Sequence, residues 1–165
     1  MEIERKWLIN INDIPFNLNE LEHFDIEQAY ISFNPTIRIR KISNINKYIL
    51  TIKSSSKDNG LSREEKEIFI SESEYKDLLN KKEGIVLSKT RYLKKIDESH
   101  FYEIDLFHDI YEGLAYMEVE FKDVNEANDY IAPEWALKEL TSDRKFTNAS
   151  LAKKQLNIKD IYLQV

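Results

Sequence analysis

Apolar and polar positions alternate with period two along eight stretches of this chain: residues 2–9, 25–33, 36–43, 47–53, 62–70, 86–96, 100–107 and 115–122. That alternation is the signature of strands, whose successive side chains point to opposite faces. Turn-forming clusters, among them Asn34-Pro35 and Ser54 to Gly60, separate the stretches. Ser71 followed by Glu74 forms a capping box, which predicts a helix over 72–81; further helices are expected over 124–131 and, after Thr147-Asn148, over 148–156. The expected fold is α+β but mainly β: an antiparallel β-barrel or strongly curved sheet with a few flanking helices, in one domain spanning 1–165.

The polar phase of these strands is charged. Glu2, Glu4 and Lys6 share a face, as do Arg38 with Arg40, Thr51 with Lys53, Arg63 with Glu65 and Glu67, Lys89 with Arg91, Glu103 with Asp105, and Glu118 with Glu120. The opposite faces carry Ile37 and Ile39, Leu50 and Ile52, Ile104 and Leu106, and Met117, Val119 and Phe121. A barrel with apolar residues inside and charges in water satisfies this pattern. Two features favour the inverse arrangement. Charges of one sign recur at i, i+2, which a solvated face does not need and which costs a little. The apolar faces are also broad enough to require helices or a second subunit over them. In the inverse arrangement seven basic and eight acidic groups line the interior, for a formal sum of −1.

The overall composition fits a foldable but charge-rich domain, with 42% hydrophobic and 33% charged residues. The net charge of −6 argues against a general nucleic-acid binder. No cysteine is present, which excludes disulfides, thiolate metal sites and a cysteine nucleophile. Three histidines, His23, His100 and His108, lack ligand spacing, so zinc is not expected. No apolar run approaches the ~20 residues of a membrane span, and Met1-Glu2-Ile3-Glu4-Arg5-Lys6 has no signal-peptide character. A cytoplasmic setting is expected.

An interior of net charge −1 does not attract a polyphosphate unaided. One or two divalent cations on its carboxylates would make it positive, leaving arginines and lysines to grip phosphate oxygens. Oxygen ligands without His or Cys select hard ions, Mg²⁺ or Mn²⁺.

The charged positions also occur in a distinctive order. Glu2-Ile3-Glu4-Arg5-Lys6 reads Glu-x-Glu-x-Lys; Gln28-Ala29-Tyr30-Ile31-Ser32, Ile37-Arg38-Ile39-Arg40, Leu50-Thr51-Ile52-Lys53, Arg63-Glu64-Glu65-Lys66-Glu67, Ser88-Lys89-Thr90-Arg91-Tyr92, Tyr102-Glu103-Ile104-Asp105 and Met117-Glu118-Val119-Glu120 follow. With Pro133-Glu134-Trp135, Glu139-Leu140-Thr141 and Asp143 to Asn148, this series resembles the CYTH superfamily, the triphosphate tunnel metalloenzymes, over almost the whole chain. The departures lie at the C-terminal motif and a loop. Lys145-Phe146 stands for the family's Arg-Tyr, Arg144 for a common Pro, His108 to Gly113 for a Gly-x-Asn-x-Gly loop, and Ala136-Leu137 follows Pro-x-Trp without the usual Gly.

The resemblance implies an eight-stranded antiparallel tunnel and metal-dependent hydrolysis of a triphosphate: inorganic triphosphate first, a nucleoside or thiamine triphosphate next. It implies Glu2, Glu4, Glu118 and Glu120 as ligands of Mg²⁺ or Mn²⁺, with Glu65, Glu67, Glu103 and Asp105 as ligands of a second ion or as partners of basic groups. It implies Arg38, Arg40, Lys53, Arg63, Lys89, Arg91 and Lys6 as phosphate-binding residues. Lys89, with Tyr30, is the candidate for activating water, and the final helix could close one end with Lys153 or Lys154. An adenylate cyclase of the same superfamily and a non-catalytic polyphosphate- or nucleotide-binding module are the alternative functions. The expected partner is a small triphosphate-containing molecule rather than nucleic acid or membrane, with a homodimer through the outer apolar faces possible.

Overall fold

The computed structural model describes residues 2–54, 61–154 and 156–163. Ten strands form one antiparallel sheet: β1 (Glu2–Ile9), β2 (Glu22–Phe33), β3 (Thr36–Ile42), β4 (Lys47–Lys53), β5 (Ser62–Arg63), β6 (Glu65–Phe69), β7 (Glu83–Lys95), β8 (Phe101–Phe107), β9 (Ala115–Glu120) and β10 (Ala136–Glu139). The order is β10-β1-β9-β8-β7-β2-β3-β4-β6, and β5 pairs back onto β1. The sheet thereby closes into a barrel. Each expected strand is present. Two differences raise the count from eight. The stretch 62–70 is broken at Glu64, whose N–H donates to Ser54 Oγ (3.0 Å) while its carbonyl accepts from Ser54 N (2.9 Å). The bend lets β6 stay on β4 while β5 crosses to Glu2 and Ile3 of β1. β10 is too short to show alternation; it is held by the part of the β1 edge that β5 leaves open, with Trp7 opposite Glu139. Residues 55–60 of the expected Ser54 to Gly60 turn lie outside the described residues.

Four helices decorate the barrel: α1 (Glu72–Leu79), α2 (Val124–Asp129), α3 (Asn148–Ala152) and α4 (Ile158–Tyr162). The Ser71–Glu74 capping box forms in full, the kind of cap worth about 1 kcal/mol. The helix expected over 148–156 stops at Ala152, because Lys154 takes a left-handed φ of 58° and the chain re-enters a helix only at the Asn157 cap. Among the described residues no helix is long and apolar enough to cross a membrane.

The apolar strand faces point outward and most are covered, although Ile52 on β4 and Ile68 on β6 stay exposed, as does Phe69 at the end of β6. Ala29 and Ile39 pack with Tyr48 under Tyr75 of α1. Ile3, Met117, Val119 and Phe121 pack around Ala127 of α2. A third cluster lies at one end of the barrel interior: Leu8, Tyr30, Leu87, Phe107 and Tyr116 meet Phe146, Leu151 of α3 and Ile161 of α4. This apolar plug seals that end. Its docking is close. Gly84, at φ +71°, passes so near α3 that a Cβ there would sit 2.3 Å from the carbonyl oxygen of Ala152.

Candidate active site

The charged faces of the strands converge inside the barrel, so the inverse arrangement is the one adopted. On the β7–β8–β9 side every deep charge has a partner. Asp105, fully buried, takes Arg91 Nε at 2.6 Å and Arg91 Nη2 at 2.7 Å, and also Lys89 Nζ. Arg91 further bonds Glu103 and Glu118, and Lys6 Nζ lies 2.8 Å from Glu118 Oε1. Burial opposes the charge of both Asp105 and Glu118, but the surrounding cations outweigh it: Arg91 and Lys89 hold Asp105 below its ordinary range, and Lys6 and Arg91 hold Glu118 well below. Burial, with help from the Arg91 charge, pushes Lys89 down to about 8 although Asp105 opposes.

The β2–β3 side is different. Arg38 Nη2 donates to Glu65 and Thr51, both at 3.2 Å, yet its Nε has no partner among the described residues. Arg40 Nη2 donates to the amide oxygen of Gln28 at 3.2 Å, and its Nε is likewise buried without a partner. Burial, and then the charges of Arg38 and Arg91, push Arg40 down to about 10. Lys53 bridges Glu2 (3.2 Å) and Glu65 (2.8 Å).

Two connected sets of walls enclose the space. A cavity of about 930 Å³ is lined by Glu2, Glu4, Lys6, Tyr30, Arg38, Lys53 and Arg63, and by the C-terminal residues Thr141, Arg144, Asn148 and Lys153. A smaller inner one of about 80 Å³ lies among Glu4, Arg38, Arg40, Arg91, Glu118 and Asn148. Lys153, expected at the closed end, does line the cavity, with its Nζ 4.4 Å from the Phe33 ring centre.

Among the described carboxylates that line the two cavities, Glu4 is the one that lacks a cation at salt-bridge distance. Burial first, then the Glu118 charge, push it up to about 7, against the pull of Lys6. Burial and a hydrogen bond with Glu65 also raise Glu2. A carboxylate in that condition is short of positive charge, and its neighbours Glu2 and Glu118 are hard oxygen donors, so the donor chemistry fits Mg²⁺ or Mn²⁺. Among the described residues no three acids already converge on one point; Glu2 and Glu118 are held by Lys53 and Lys6, which would have to yield.

The other expected site residues are spread more widely. Glu120 ends β9, opposite Glu4 in the pairing but exposed and outside both cavity walls. Glu65 and Glu67 line the inner cavity, where Glu65 is taken by Arg38 and Lys53. Asp105 and Lys89 are in neither wall: each side chain is fully enclosed against the other. Their phase placed them inside the barrel, but phase cannot separate a side chain facing the cavity from one buried behind it. Tyr30 lines the cavity, and burial raises its phenol. Charge patterning overlooked Gln28 and Asn148, which are neutral; for Gln28 the available signal was its phase with Tyr30.

A model of the CYTH domain matches residues 1–155. An inorganic triphosphatase of Nitrosomonas europaea is 35% identical over 153 residues, covering 92% of this chain and 96% of that protein. This chain belongs to the CYTH family. A second inorganic triphosphatase, of Acetivibrio thermocellus, is 33% identical over 129 residues, 76% of this chain and 78% of that protein. A crystal structure of an inorganic triphosphatase superposes with a TM-score of 0.65 at 30% identity, covering 93% of this chain and 95% of that one. Two of the sequence departures within this CYTH domain have local explanations. Phe146 is buried in the apolar plug, 5.9 Å from Lys138 Nζ, so it has no need of a hydroxyl there. The His108 to Gly113 loop keeps its glycine at the residue with φ +94°.

Proposed function

We propose that this CYTH domain hydrolyses inorganic triphosphate to pyrophosphate and phosphate, with Mg²⁺ or Mn²⁺ held by Glu4 together with Glu2 and Glu118. The observation that carries the reading is the interior itself: an enclosed cup in which Arg40 and Arg38 keep buried N–H groups free beside carboxylates short of a cation. The names of two relatives that share most of this chain, both inorganic triphosphatases, support the same chemistry.

Water attacks the terminal phosphorus, its bond to the bridging oxygen breaks, and pyrophosphate leaves. Phosphoryl transfer asks mainly for positioning and electrostatic stabilisation. Arg40 and Arg38, both in the wall of the inner cavity, take the oxygens of the transferred group, while Lys53 and Arg63 hold the remainder of the chain nearer the C-terminal segment. A divalent metal held by Glu4, Glu2 and Glu118 would neutralise phosphate charge and lower the pKa of a bound water. Lys89, though pushed down to about 8, is enclosed against Asp105 and lines neither cavity wall, so it could take a proton from water only as the neutral amine and after leaving Asp105 for the cavity. Tyr30, raised by burial, stays a phenol and does not serve as the base. Asp105 and Glu65 serve to fix basic groups rather than to hold metal. The setting is cytoplasmic, which a cysteine-free, charge-rich chain suits.

The test is a panel of inorganic triphosphate, ATP and thiamine triphosphate with Mg²⁺ or Mn²⁺, reading phosphate, pyrophosphate and cyclic nucleotide. Phosphate and pyrophosphate in equal amounts from inorganic triphosphate are expected. Cyclic AMP with pyrophosphate from ATP would make the protein a cyclase. Binding without any product would make it a binding module.

A further inference from the structure

Five of the deep basic groups are charge-compensated: Lys6 by Glu118, Arg38 by Glu65, Lys53 by Glu2 and Glu65, Lys89 by Asp105, and Arg91 by Asp105, Glu103 and Glu118. Arg40 is not. Among the described residues its hydrogen bond goes to a neutral amide, Gln28 Oε1 at 3.2 Å, and it has no carboxylate at salt-bridge distance. Gln28 sits opposite Arg40 in the β2–β3 pairing and opposite Leu87 in the β2–β7 pairing. Its side chain is completely buried and its own Nε2 has no partner. A buried amide with idle donors is costly to keep, and a glutamate of the same shape would satisfy the guanidinium better.

We propose that Gln28 is a positioning residue that orients Arg40 while leaving its charge uncancelled, so that the full positive charge is available to the phosphate. A carboxylate at this place would hold the guanidinium as firmly and spend its charge inside the protein. A purely apolar residue would leave the charge intact but let the side chain swing. Gln28 supplies an acceptor without an anion. The inner cavity then has one wall of mutually cancelled ions and, on the strands next to it, a cation left for the ligand.

The inference rests on the proposed triphosphate chemistry, and its test separates the two. Wild type, Gln28→Glu and Gln28→Met are compared for binding of an imidotriphosphate with nitrogen at both bridging positions, which resists cleavage, in the presence of Mg²⁺, and for thermal unfolding and steady-state hydrolysis of inorganic triphosphate. Gln28→Glu keeps the acceptor, so its melting temperature stays at or above that of wild type while affinity falls by about tenfold or more. Gln28→Met keeps neutrality and loses the acceptor, so affinity changes by less than about threefold while kcat drops by about fivefold or more. A wild-type protein that neither binds nor cleaves the compounds overturns the functional reading and this inference with it. A binding wild type with Gln28→Glu within about twofold of it, or with Gln28→Glu melting well below it, overturns the role of Gln28 alone.

Discussion

The wall built by β7, β8 and β9 and the wall built by β2 and β3 carry similar charges and use them differently. In the first, Lys6, Lys89, Arg91, Asp105 and Glu118 form one connected ionic network, and the fully buried Asp105 is its centre. In the second, Arg38 and Arg40 retain unpartnered N–H groups, and a neutral glutamine stands where an acid would complete the pairing. Buried ion networks fix geometry more reliably than they add stability. Buried donors without acceptors are a standing cost that a ligand can relieve. On the proposed function, the difference assigns the first wall to framework and the second to receptor, a distinction that counting charges cannot make.

The comparison can be broken most decisively from the receptor side. Arg40→Ala and Glu4→Gln should each lower turnover of inorganic triphosphate by about 10²–10³-fold, as loss of one preorganised charge commonly does, while far-ultraviolet circular dichroism stays unchanged. Retained turnover in either variant removes that residue from the site. On the framework side, Asp105→Asn leaves Lys89 without a carboxylate in the interior and strips Arg91 of one of its three. It should cost about 3–5 kcal/mol in urea unfolding, the usual penalty for breaking a buried ion pair. A loss of activity at full stability would instead make Asp105 a participant in the chemistry.

Metal and pH sharpen the picture next. Glu4 is raised to about 7 in the folded protein against an unfolded value of 4.5. The folded state therefore binds its proton more tightly, and metal-free stability should fall as pH climbs from the unfolded value through the folded one. Thermal melts in chelator should show that decline, Mn²⁺ should abolish it and raise the melting temperature, and Glu4→Gln should remove the decline and the greater part of the metal effect. The smallest expected effect lies outside the barrel. His100 is raised, chiefly by its hydrogen bond to Asp97, and also reaches Glu126 of α2. The stability it contributes is complete below the unfolded histidine value and is lost as pH rises through the folded one. His100→Gln should therefore lower the melting temperature slightly in acid and not at all at alkaline pH.

Most of the barrel was legible in the sequence because one face of each strand had to be apolar for α1, α2 or the plug and the other charged for the interior. Tyr75, Ile39 and Ala29 meeting outside the sheet, and Arg38 and Glu4 meeting inside it, follow from phase alone. What phase could not supply was depth. Lys89, Asp105 and Glu120 share the inward phase of their strands, yet the first two are enclosed and the third reaches solvent at a strand end. Long-range pairing was hidden too. β10 exists because part of the β1 edge is open to it, and the break at Glu64 exists because one segment must serve both β4 and β1. Neutral contributors such as Gln28 and Asn148 carry no charge signal and emerge only when buried polar atoms are matched with partners.

The most direct test of the account is a crystal structure of the protein with imidotriphosphate and Mn²⁺, with the metal located by its anomalous scattering. The account predicts a Mn²⁺ peak within coordination distance of Glu4, and phosphate oxygens within hydrogen-bond distance of Arg40 and Arg38 in the inner cavity. Mn²⁺ and phosphate found together on the outer surface, with Glu4 and Arg40 untouched, would contradict it.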